Sequence, residues 1–237
     1  MPWGPADVAM FEELDVRGTQ LGELILRRRR TVTLGDTWVY EVKLDGRFLM
    51  SSLVADSERE LARRSLSRVC GDALDVMVGG LGLGHTADAA LLDPRVRSLD
   101  VVELLPEVVA WHQRGLVPLG KRLCSDARCR LVVDDCFARL CRDPERSYDA
   151  ILVDIDDAPD DVLGSSHTGF YTEQNLRLAR RWLRPGGVFA LWTNVARRGA
   201  FEAQLRAAFP TVEVEDVTFE NPLLEESETN ALYFARD

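Results

Sequence analysis

The sequence is poor in the features that mark several large functional classes. No apolar run approaches the roughly 20 residues that span a bilayer, so no membrane partner is expected. The first residues lack the basic-then-apolar order of a secretory signal, and a cytoplasmic location is expected. Basic residues are outnumbered, 29 against 39 acidic, for a net charge of −10. Neutralising phosphates needs a basic face, so no nucleic-acid partner is expected. The five cysteines (Cys70, Cys124, Cys129, Cys136, Cys141) are odd in number and include no Cys-x-x-Cys pair. Reduced thiols filling core space are expected, and no metal site. One exception to the acidic balance is Arg27-Arg28-Arg29-Arg30. On a strand these side chains would alternate between faces, and a solvated or edge-protecting strand is expected.

With 237 residues, 46% hydrophobic and 29% charged, the chain has room for one large α/β domain and a small appendage. Residues 1–16, with Pro2, Gly4 and Pro5, read as an arm or fraying lead-in. Residues 21–26, 31–34, 37–44 and 47–53 read as strands with turns at Gly35-Asp36 and Asp45-Gly46, a small antiparallel β cap. The boundary is expected near residue 55, with 56–237 as the second domain. Ser57 followed by Glu60 has capping-box spacing ahead of a helical face of Leu61, Ala62, Ser65, Leu66 and Val69. Strands are then expected at 74–79, 98–103, 129–134, 149–155 and 187–193, alternating with helices near 86–92, 106–114, 136–142, 172–183 and 199–208. Arg184-Pro-Gly-Gly187 is read as stopping the fifth of these helices. A closing hairpin is expected over 211–219 and 230–236. Repeated strand–helix units predict a doubly wound, mostly parallel, seven-stranded Rossmann-like sheet.

The apolar run Asp75-Val-Met-Val-Gly-Gly-Leu-Gly-Leu-Gly-His85 ends in closely spaced glycines, and Glu103 follows 23 residues after Gly80. This reads as a buried strand, a tight turn whose backbone N–H groups approach a ligand, and a carboxylate suited to a ribose diol. The spacing is Gly-x-Gly-x-Gly, with His85 at the position of a dinucleotide fingerprint's third glycine. A nucleoside without a pyrophosphate fits that turn better, and S-adenosylmethionine is the common one.

Ligands of open α/β sheets bind beyond the carboxyl ends of the strands. Those ends carry the glycine turn, Glu103, Asp134-Asp135-Cys136, Asp154-Ile-Asp-Asp157 and Trp192-Thr193-Asn194. Carboxylates at successive strand ends crowd like charge around one crevice. Asp135 also suits a helix N-cap, and Glu103 suits the start of a helix near Pro106. Asp154, which ends the apolar run Ala150-Ile-Leu-Val153, has no such structural role to fall back on. The connection 156–170 has the length of a lid and holds His167, a candidate proton shuttle. His85 follows the glycine turn, and His112 reads as an ordinary helix residue.

Taken as an ordered set, the cap, the glycine turn, Glu103, the Asp135 turn, Tyr148-Asp-Ala-Ile-Leu-Val-Asp-Ile-Asp-Asp157, Phe170-Tyr171 and Leu183-Arg-Pro-Gly-Gly187 resemble spermidine synthase and its relatives, transferases of the S-adenosylmethionine fold. The resemblance covers roughly 20–236. It implies that Gly80, Gly82 and Gly84 surround the cofactor, Glu103 and Leu104 face the ribose, and Asp135 and Cys136 lie at the adenine. It also implies that Asp154 takes the proton of an attacking amine, with Asp157 and Tyr171 on the acceptor, and it suggests a homodimer. Departures are present. Leu83 stands where polyamine synthases place an Asp that grips the ammonium of decarboxylated S-adenosylmethionine. The segment 47–58 lacks the Gln, Tyr and His that cradle a polyamine, and Ala158 replaces a Pro. An unpaired buried ammonium is costly.

From these departures the expected activity is methyl transfer from intact S-adenosylmethionine to a small, cationic acceptor, catalysed by Asp154 with Asp157 and His167. The alternatives are aminopropyl transfer from decarboxylated S-adenosylmethionine and a cofactor-binding protein without turnover. A metal-dependent methyltransferase reading would use Asp154 and Asn194, but Thr193 stands where a second carboxylate would help.

Overall fold

A computed structural model describes residues 11–31, 37–155, 159, 163, 167, 169–194, 199–221 and 226–236. The chain divides into two units, Met1–Val54 and Ala55–Asp237.

The first unit is an antiparallel sheet of β1 (Phe11–Thr19), β2 (Gly22–Thr31), β3 (Thr37–Leu44) and β4 (Arg47–Ser51), in that order. Asp45 and Gly46 both take positive φ, as a two-residue hairpin between β3 and β4 requires. Two expectations fail here. Part of the predicted arm is strand β1, whose sequence is so polar and exposed that it shows little alternation. Its presence makes β2 an interior strand, so the arginine run protects no edge. The predicted alternation of faces is realised, with partners in place of solvent. Arg27 and Arg29 both bond the buried Glu41, while Arg28 bonds Glu12 and lies 4.4 Å from the Trp38 ring centre. Burial alone would raise the Glu41 pKa, but the two guanidinium groups outweigh it and hold the carboxyl below its usual range.

The second unit runs α1 (Asp56–Ser67), β5 (Leu74–Gly79), α2 (His85–Leu91), β6 (Val96–Glu103), α3 (Pro106–Gln113), α4 (Gly120–Ser125), β7 (Cys129–Val133), α5 (Cys136–Leu140), β8 (Tyr148–Val153), α6 (Glu173–Arg180), β9 (Leu183–Thr193), α7 (Gly199–Ala208), β10 (Thr211–Asn221) and β11 (Glu226–Arg236). The strands form one seven-stranded sheet in the order β10-β11-β9-β8-β5-β6-β7. The five strands from β9 to β7 pair in parallel, and β11 and β10 close the sheet antiparallel. This is the expected α/β class. Every residue of β5 is buried, which is why its sequence shows a continuous apolar run and not an alternating one.

Local differences have physical reasons. Ser57 is not an N-cap: that position is Ala55, which has no side chain to offer, and Ser57 lies buried inside α1. Helix α6 stops at Arg180, and β9 begins at Leu183, before the Pro-Gly-Gly segment expected to stop the helix. Among the described residues no helix is long and apolar enough to cross a membrane.

Candidate active site

The chain enters β5 in the middle of the sheet, adds β6 and β7 on one side, and returns to add β8 and β9 on the other. A crevice therefore opens at the carboxyl ends of β5 and β8, where the strand order reverses. The glycine turn fills this point. Asp154 N–H donates to the Gly79 carbonyl at 2.8 Å, and Gly80 N–H donates to Val102 at 2.9 Å. Gly80 takes φ +92°, and a Cβ there would overlap the Asp154 carbonyl, which as backbone cannot move aside. Only glycine brings the two strand ends this close. Leu81 and Leu83 are both buried, and Gly84, also at positive φ, leads into α2.

Two side chains hold the turn from below. Glu103, buried at the end of β6, accepts Leu81 N–H at 3.0 Å through one oxygen and Leu105 N–H at 2.9 Å through the other. Burial pushes its pKa up, and the backbone donors oppose that. The backbone N–H groups of Gly82 and Leu104 contribute in the same sense. His112 is not an ordinary helix residue. It is buried, and its Nε2–H donates to the Gly82 carbonyl at 2.9 Å, while burial lowers its pKa and keeps the ring neutral.

Across the turn lies a pair of carboxylates. Thr86, buried in the first turn of α2, donates its hydroxyl to Asp154 Oδ2 at 2.5 Å. Its oxygen also lies 3.5 Å from the Glu58 carbonyl, so α1 reaches the same place. The Glu58 carboxylate accepts from Ser57 Oγ at 2.8 Å, and Ser57 Oγ accepts from Trp192 Nε1 at 2.9 Å. Burial raises the pKa of both carboxyls, and the charge of Asp154 raises Glu58 further. The two titrate as a unit. Glu58 was not visible as a site residue from the sequence. Its one signal was its place in the segment 47–58, where the resemblance expects an amine cradle.

The other expected residues divide. Asp135 caps α5, accepting Ala138 N–H at 2.9 Å, and its neighbour Asp134 bonds Arg139 and Arg142. Cys136 is buried, its sulfur so close to Gly79 that a Cβ there would collide with it, and burial raises its thiol pKa strongly. Leu104 is half-buried beside Glu103. His167 is buried with its ring edge-on to Phe137 at 4.7 Å, a packing position where an open proton shuttle was expected. The Tyr171 ring, expected on the acceptor, packs against Phe137, Phe170 and Phe201 in the main core. Thr193 donates to the Ala231 carbonyl at 3.3 Å. Asp157, and most of the segment 156–170, lies outside the described residues.

Comparison with known proteins follows from this geometry. The spermine/spermidine synthase domain model matches residues 75–198. The chain is 38% identical over 115 residues to the polyamine aminopropyltransferase of Prochlorococcus marinus (strain MIT 9313), covering 48% of this chain and 38% of that protein. It is 30% identical over 166 residues to polyamine aminopropyltransferase 2 of Pseudomonas aeruginosa, covering 69% and 46% respectively. These matches thus span less than half the length of the relatives. A crystal structure of spermidine synthase in complex with the transition-state analogue AdoDATO superposes with TM-score 0.73 at 19% identity, covering 94% of this chain and 73% of that one. Human methyltransferase-like protein 13 in complex with SAH reaches TM-score 0.52 at 20% identity, covering 76% and 78%. At these identities the structures speak for the fold alone. The expectation of a methyltransferase is overturned, because the sequence relatives are aminopropyltransferases and the departures at Leu83, within 47–58 and at Ala158 do not outweigh them. The chain belongs to the spermine/spermidine synthase family.

Proposed function

We propose that this chain transfers an aminopropyl group from decarboxylated S-adenosylmethionine to a small amine, forming a polyamine and methylthioadenosine. The observation that carries the reading is Asp154, a half-buried carboxylate at the switch point, oriented by Thr86 and close enough to a second acid to feel its charge. The amine nitrogen attacks the carbon next to the sulfonium. The new C–N bond forms as the C–S bond breaks, and Asp154 takes the proton that the amine gives up. A carboxyl with a raised pKa is a stronger base for that step than an ordinary one, provided it is ionised when the amine arrives. The cationic substrates supply that condition, since a positive charge nearby favours the carboxylate.

Geometry and resemblance together support the remaining roles. Glu103 accepts the ribose hydroxyls. The oxygen of Asp135 not used by Ala138 accepts the adenine amine, with Cys136 and Leu104 beside the base and ribose. Gly80, Gly82 and Gly84 give the nucleoside room against the backbone. Asp157 binds the acceptor amine by resemblance, whereas His167 has no step in this scheme.

The test is incubation with decarboxylated S-adenosylmethionine and putrescine, read by mass spectrometry. Spermidine and methylthioadenosine are expected, with kcat lowered about 10²–10⁴-fold in Asp154→Asn. Failure to form methylthioadenosine with putrescine or any other diamine overturns the proposal.

A further inference from the structure

Resting on the aminopropyl-transfer reading, we infer that Glu58 binds a substrate ammonium at this site, supplying from α1 the carboxylate that the glycine turn lacks at Leu83. The turn itself offers no side-chain charge to a cation: Leu81 and Leu83 are apolar and buried, and Glu103 is engaged by the N–H groups of Leu81 and Leu105 and, in this reading, by the ribose. Asp154 is committed to the proton of the attacking amine. The reaction brings further positive charge, on the aminopropyl group and on the far end of a diamine, and each needs a partner once desolvated.

Glu58 is built for that task. It sits in the first turn of α1, and its carboxylate is fixed by Ser57, whose own oxygen is fixed by Trp192 at the end of β9. Ser57 and Thr86, which connect the two acids to their helices, are 2% and 3% exposed, so the groups behind the carboxylates are locked in place. Among the described residues neither Glu58 nor Asp154 has an ion-pair partner; Arg59, on the same turn, only weakly offsets the charge. Two half-buried acids kept together with no ion-pair partner among the described residues are a stored penalty: burial raises both carboxyls, and the charge of Asp154 raises Glu58 further. An arriving ammonium relieves that penalty, which makes the pair selective for a cation over a neutral ligand of the same shape.

The experiment measures calorimetric binding to the full chain and to Glu58→Gln, using decarboxylated S-adenosylmethionine and methylthioadenosine, a nucleoside without the aminopropyl ammonium. The KM for putrescine is measured in parallel. Glu58→Gln is expected to lose about ten-fold or more either in affinity for decarboxylated S-adenosylmethionine or in putrescine KM, with methylthioadenosine changed by less than about two-fold. The first loss places the cofactor's ammonium at Glu58, the second the acceptor's. Glu58→Asp is expected to recover part of either. Unchanged values for both cationic ligands, or an equal loss for methylthioadenosine, overturn the inference while leaving aminopropyl transfer standing. A wild-type chain that forms no methylthioadenosine and binds the two nucleosides alike overturns both.

Discussion

A half-buried carboxylate pair with no ion-pair partner among the described residues contributes to the pH response of the protein. With both carboxyls raised, the folded site holds its protons more tightly than the unfolded chain does. Below the ordinary carboxylate range both states are protonated and nothing is lost. As pH rises towards neutrality the unfolded chain ionises first, so stability falls, then levels off once the folded pair has ionised as well. His85 acts in the opposite sense: burial pushes its pKa down to about 4, so between there and the ordinary imidazole range the unfolded chain holds its proton and stability rises with pH, a term common to wild type and a Glu58 variant. Glu58→Gln is therefore expected to raise the melting temperature at pH 8 by a few degrees, on the order of 1–2 kcal/mol, and to leave it unchanged near pH 4. Melting curves at the two pH values check this; a loss of stability at pH 8 would mean that the pair is not repulsive. The glycine turn makes a second demand at single-residue scale. Gly80→Ala places a Cβ on the Asp154 carbonyl at a φ that alanine disfavours, and is expected to cost at least about 2 kcal/mol in a denaturant titration and to abolish nucleoside binding. The turn, Glu103 and Asp154 could be read in advance because each ends an apolar run. Glu58 and His112 could not, because an acid or a histidine on a helix looks the same in sequence whether it faces water or another strand's end.

Within the parallel sheet, some strand positions that look like errors in the apolar pattern are structural. Asp75, near the start of β5, accepts Arg97 at 2.5 Å, Arg184 at 2.5 Å and Ser98 at 2.6 Å. Asp100 within β6 accepts Arg130 at 2.9 Å, Arg146 at 3.0 Å and the Tyr148 hydroxyl at 2.7 Å. Both are 3% exposed. Burial acts to raise their pKa values, but the guanidinium and hydroxyl donors outweigh it and hold them below the ordinary range. A depressed carboxyl contributes stability above its unfolded pKa and loses it as pH falls through its folded value. Asp100→Ala is expected to cost about 3–5 kcal/mol at pH 7, and much less near pH 2, in denaturant titrations; equal costs would show that the ion pairs do not carry the effect. Strand positions were legible from the alternation of apolar runs and helical faces. These networks were not, since Arg184 lies 109 residues from the Asp75 it bonds. The same distance problem hid the setting of the arginine run: its alternation was local, but its interior place depended on β1, which has little apolar pattern to show.

For the whole chain, fold class followed from repeated strand–helix units, whereas the strand order and the choice between methyl and aminopropyl transfer did not. Both chemistries use the same sheet and the same nucleoside, and they differ only in the few groups around the sulfonium substituent. The departures at Leu83, within 47–58 and at Ala158 pointed one way, and the sequence relatives outweigh them. The boundary between the two units bears on that chemistry directly. Glu58, the glycine turn, Glu103, His112 and Asp154 all fall in Ala55–Asp237, which has a seven-stranded sheet and a continuous core of its own. The hydrogen bonds that fix these residues, from Trp192 to Ser57, from Thr86 to Asp154 and from Leu81 to Glu103, also begin and end within that unit. A chain of residues 55–237 is therefore expected to unfold in one cooperative transition and to bind methylthioadenosine within a few-fold of the full chain. Calorimetry on both chains measures this. If the shorter chain folds but does not bind, residues 1–54 contribute to the nucleoside site; if it does not fold, the core of the second unit is insufficient alone. Comparable affinity would confine the cofactor half of the site to the second unit.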